Sequence, residues 1–132
     1  MTTKPEIPPP DSPVDADSPV DADAAALDLA DVPAVEVVLT VAMHLMTAAA
    51  LACGLGPQDE DGVAPAADLA EARILITALA GLVTASAPLL GSMHAAPLRD
   101  GLSSVQRAFR EASAIPDAPG QGPGENLTGP VV

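Results

Sequence analysis

The chain has 132 residues, enough for one domain; 48% are apolar but only 1% aromatic, with Phe109 the sole ring. Its formal net charge is -13, from 18 acids against five Lys and Arg. No basic stripe exists to neutralise phosphates, which argues against direct nucleic-acid binding, and an anionic membrane surface would be repelled.

The charge is unevenly spread. Residues 1–31 hold eight acids against Lys4, residues 32–115 eight against four arginines, and residues 116–132 two and no cation. "DSPVDA" at Asp11 repeats at Asp17, among prolines at 5, 8, 9, 10, 13 and 19. Proline denies regular backbone hydrogen bonding, and aspartates repel one another. With few large apolar groups to bury, residues 1–31 are expected to form a disordered acidic tail. Deleting residues 1–30 should therefore leave the melting temperature almost unchanged. Little apolar area is lost, at roughly 25 cal/mol per Å², and any gain from removing self-repulsion should vanish by about 0.15 M salt. A truncated chain melting several degrees earlier would show that the arm packs on the core. The opening "MTTKPEIPPPDSP" has no apolar centre and is not expected to act as a secretory signal.

A helical domain is expected over 32–115. The first helix opens at Val32-Pro33, where a missing N–H costs nothing, with Glu36 at the positive end of the dipole. "CGLG" closes it: Gly54 suits the left-handed C′ position of a Schellman cap. An acidic loop, "GPQDEDGVAPAA", follows. The second helix opens with "DLAE", a capping box of Asp68 and Glu71. Leu69, Ala72, Ile76, Leu79 and Val83 then recur at spacings of three and four, and the helix is expected to stop before Pro88. Two prolines and two glycines in "PLLGSMHAAPLRDGLSS" predict a short turn at 89–95 and a kink. A third helix then follows over about 97–113, striped by Leu98, Leu102, Val105, Phe109 and Ala112. The remaining 116–132, rich in Gly and Pro, reads as an irregular, disordered tail. The fold class is all-α: a small bundle of three helices, the last one kinked, between disordered tails.

Val37 to Cys53 is charge-free unless His44 is protonated. Seventeen residues span about 25 Å, short of a ~30 Å hydrocarbon core, and no aromatic belt or Lys/Arg cluster flanks them. No membrane span is expected. A helix apolar around most of its circumference is instead buried on several sides, so it is either a central helix or one that packs on its copy in a second subunit.

Two Met-His pairs, Met43-His44 and Met93-His94, together with Met46 and Cys53, supply the soft ligands that Cu(I) or haem iron would take. No CxxC or HxxxH spacing accompanies them, and methionines filling gaps in an alanine-rich core explain them more simply. "DEDG" at Asp59 fails as a calcium loop, because Pro57 stands where the first carboxylate belongs. Ser92, His94 and Asp100 lack any nucleophile context, and "GQGPGE" is no phosphate loop. Catalytic, cofactor and metal residues are therefore all expected to be none, and an enzyme is not expected. Cys53, alone, fits a reducing compartment, so a cytoplasmic location is expected.

"DLAEARILITALAGL" followed by "LRDGLSSVQRAF", after a first helix ending in "LG" and an acidic loop, resembles the domain-of-unknown-function family catalogued as 1844 over about 35–115. The closing "IPDAPGQGPGENLTGP" is similar to its actinobacterial branch. Two departures stand out: Thr77 where many members carry Asp, and "ASAPLL" in place of a polar Lys-Thr-x-Gly-Asn-Leu junction. The resemblance implies a small helical protein with no catalytic residues to carry over. It also implies a link to genes for translation initiation and large-subunit ribosomal proteins. Three functions are thus open. The first is a homodimer or protein-binding module. The second is a translation-linked factor touching basic ribosomal proteins, and the third a soft-metal binder through His44 and its neighbouring methionines.

Overall fold

The computed structural model describes Asp23, Ala26 and residues 28–131. Among these residues the chain is all-helical, and from Ala34 onward it forms three long helices and one short one. We label them α1 (Ala34–Ala52), α2 (Leu69–Leu90), α3 (Ser92–Ala112) and α4 (Glu125–Thr128). The chain divides into two units at Pro33, and the packing described below lies within the second, Ala34–Val132. Most of the acidic segment 1–31 lies outside the described residues. Within it residues 28–30 are helical, and the Val32 N–H donates to the Leu29 carbonyl at 3.1 Å.

The cap at the end of α1 has the expected form. The Gly54 N–H donates to the Leu51 carbonyl and the Leu55 N–H to the Ala50 carbonyl, both at 3.0 Å. These are the two bonds of a Schellman motif. Asp68 caps α2, its Oδ1 accepting from the Glu71 N–H at 3.2 Å. The Asp68 N–H is taken by the Ala52 carbonyl at 2.7 Å. That bond satisfies an orphan acceptor of α1 and an orphan donor of α2 together, pinning the two helices into an antiparallel pair. Between them, Asp59 folds the acidic loop on itself: its Oδ1 accepts from the N–H groups of Asp61 (2.9 Å) and Val63 (2.8 Å).

The predicted stripe of α2 is the centre of the core. Ala72, Ile76, Leu79, Ala80, Val83 and Ala87 are buried there, and α2 packs on both α1 and α3. From α3 come Leu98, Leu102, Val105 and Phe109. Ala112, expected to extend that stripe, is exposed. On α1 only Ala42 and Ala49 are fully buried. The central helix is thus α2, not the first and most uniformly apolar one.

Three expectations need correction. First, α2 does not stop before Pro88 but runs to Leu90. Second, no separate turn at 89–95 precedes a break near 97; α3 runs from Ser92 through Pro97 to Ala112. Each proline removes one bond to the carbonyl four residues back. Those carbonyls belong to Thr84 and Met93, two exposed residues. The interruption falls instead at Gly91, whose φ of 81° no ordinary side chain adopts easily. Third, 116–132 is irregular outside the single turn of α4, as expected, but it is packed on the bundle rather than a free tail. It forms a strap across α2 and α3, with Pro123, Gly124 and Glu125 buried. Its order comes from contacts distant in sequence, described next.

Candidate interaction face and C-terminal strap

The strap is fixed at both ends. At its start the Arg73 guanidinium donates to Asp117 Oδ2 at 2.8 Å and lies over the Phe109 ring, 5.0 Å from its centroid. Further along, the Gln106 side-chain amide, itself buried, donates to the Pro123 carbonyl and to Thr128 Oγ1, each at 3.1 Å. Glu125 Oε1 accepts from the N–H groups of Gly120 (3.3 Å) and Val131 (3.0 Å), holding the strap's two limbs around α4. Sequence reasoning missed all of this. One signal was present: Gln106 stands four residues after Leu102 and three before Phe109, on the buried stripe, and a buried amide demands partners.

The candidate ligands do not converge. His44 and Cys53 are nine residues apart on or just past one helix. At about 100° per residue that places them on opposite sides, and they are respectively exposed and buried. Burial pushes the Cys53 thiol above its usual pKa, which works against the thiolate a soft metal needs. Met46 turns inward: a Cβ on Gly101 would come within 2.5 Å of its Sδ, so α3 is thinned to admit the thioether. Met43, Met93 and His94 are exposed. Ser92 and His94 are two residues apart on α3, and such pairs do not face each other. Among the described residues no group of three His, Cys, Asp or Glu could hold a metal ion.

What remains is a surface. On α1 the residues Glu36, Thr40, Met43, His44, Thr47 and Leu51 lie on one side of the helix, and all are exposed. Val41 at its edge is 44% exposed, Met43 57% and Leu51 49%. Past Glu36 this side carries no carboxylate, Lys or Arg. By length and composition α1 and α2 could each cross a membrane, with mean hydropathies of 1.8 and 1.7. Only 11% of the α1 span is buried within the fold.

The family model described as "Domain of unknown function (DUF1844)" matches residues 34–111. The chain belongs to this family. The match takes in α1, α2 and nearly all of α3, including the α1 face, and leaves out the strap. No curated protein and no solved structure matches the chain.

Proposed function

We propose that this member of the family is a cytoplasmic, non-enzymatic interaction protein that pairs with a second copy of itself through the outer face of α1. One observation carries the reading: α1 is the most apolar helix, yet its only fully buried side chains are two alanines. An uncharged helical face of this length left in water is the mark of an unpaired interface. A two-fold related copy would present the same uncharged face in return. Residues near the midpoint of α1, Met43, His44 and Thr47, would then lie close to their own copies.

The same apolarity would suit a bilayer, and the fold argues against that. α3 lies along α2 and carries Arg99, Asp100, Arg107, Arg110 and Glu111, so the intact bundle could not enter lipid without taking these charges with it. The single thiol, buried, accords with a reducing compartment.

Sedimentation equilibrium at micromolar concentration tests the pairing. The expected result is a dimer that Thr47→Lys converts to a folded monomer, because two like charges would be forced together at the centre of the seam. A well-folded wild-type monomer under these conditions would remove the dimer, and an undisturbed Thr47→Lys dimer would place the seam elsewhere.

A further inference from the structure

We propose that the cleft between α2, α3 and α4 binds a small organic anion: an oxyanion group on a short apolar body. The cleft has a volume of about 370 Å³. That lies at the small end of ligand sites. It is too small for a folded partner and suits a small organic molecule.

Its chemistry is opposite to that of the rest of the molecule. The chain carries 18 acids, yet no carboxylate lines this cleft; its one ionisable wall residue is Arg99. Of the other arginines in the bundle, Arg73 and Arg110 both donate to Asp117, and Arg107 is also engaged. Among the described residues the Arg99 side chain makes no ion pair or hydrogen bond. Ser103 follows Arg99 by four residues, so both project from the same side of α3, and Thr84 faces them from α2. Neither hydroxyl has a hydrogen-bond partner among the described residues. A guanidinium and two unused hydroxyls thus converge on one opening, the donor set an oxyanion needs.

The rest of the lining is apolar. Val83 and Leu102 form the floor, each 2% exposed, and Leu127 of α4 forms an open wall, 47% exposed. A bare inorganic anion would leave that wall wet, whereas a short acyl chain would cover it. Thr128 is already held by Gln106, so the α4 wall is built before any ligand arrives. This inference stands apart from self-association, because it uses none of the α1 face.

The test is a titration of the full-length protein followed by amide resonances, with hexanoate, 1-hexanol and inorganic phosphate as separate probes. Hexanoate should give saturable shifts centred on residues 84, 99, 103 and 128, with a Kd of about 1 mM or tighter. Hexanol and phosphate should each bind at least about tenfold more weakly, since each offers half of the chemistry. Arg99→Gln should cost hexanoate about tenfold, and Arg99→Lys should recover part of it. Arg99 is exposed, so these variants should melt as wild type does. No saturation by about 10 mM, or equal hexanoate binding by Arg99→Gln, overturns the site. Phosphate binding as tight as hexanoate overturns the ligand class.

Discussion

Replacing Ile76 by alanine should destabilise the bundle by about 3–4 kcal/mol, a third or more of what a domain of this size commonly has. Ile76 is fully buried in the middle of α2, and with Leu79 and Val83 it is among the largest fully buried side chains. Much of the surrounding core is alanine. The core has Phe109 as its single aromatic, so few large side chains remain to relax into the hole. The cavity term should therefore stay near its full size. In thermal melts followed by circular dichroism the midpoint should fall by about 15–20 °C. Thr77→Ala next door supplies the control. Thr77 is exposed, and its hydroxyl only donates back to the Arg73 carbonyl, so the change should stay within about 0.5 kcal/mol. Melts should be compared at one protein concentration, because self-association would add its own term. A drop of only a degree or two for Ile76→Ala would mean that α2 is not the organising helix.

The parts of this fold that a sequence reveals are those written within a few turns of chain. Leu69, Ala72, Ile76, Leu79 and Val83 announce α2 by spacing alone, and all but the half-buried Leu69 are in the core. Asp68 and the "CGLG" stop are likewise local, and both make the bonds their residue types suggest. α1 was harder for a physical reason. A helix apolar on every side has no stripe, so periodicity cannot say which side packs inward. Pro88 and Pro97 misled because a proline weakens a helix without always ending it, and here both sit on exposed positions of helices whose other side is packed into the core. The strap was illegible for a different reason. Glycine and proline carry no period, and its order rests on partners such as Arg73 for Asp117, 44 residues away, and Gln106 for Pro123, 17 away. The candidate face on α1 and the cleft at Arg99 follow the same division. The first was visible as an excess of apolar residues, whereas the second exists only once α4 is laid against α2 and α3.

Gly124→Ala should release the strap, costing about 2–5 kcal/mol while leaving α1, α2 and α3 helical. Two separate terms act at this residue. Its φ is 76°, in the left-handed region where an L side chain costs roughly 1–2 kcal/mol. A Cβ there would also sit 2.5 Å from the Ala80 Cβ, against the buried face of α2, and 3.2 Å from Gln106 Nε2. Neither neighbour can retreat: Ala80 is fixed to the α2 backbone, and Gln106 is held by the Pro123 carbonyl and Thr128. Overpacking of this kind costs about 1–3 kcal/mol. Gly62 separates the terms, because it has a φ of 78° with nothing within 4 Å of its would-be Cβ. Gly62→Ala should therefore report the backbone term alone, and Gly124→Ala should exceed it by the steric one. Hydrogen exchange locates the loss. The Leu127 and Thr128 amides now donate to the Gly124 carbonyl, and the Gly129 amide to the Glu125 carbonyl. All three should lose protection in Gly124→Ala, while amides in the middle of α2 and α3 keep most of theirs. If Gly124→Ala proves no more costly than Gly62→Ala, the strap is not seated on Ala80, and the α4 wall of the Arg99 cleft goes with it.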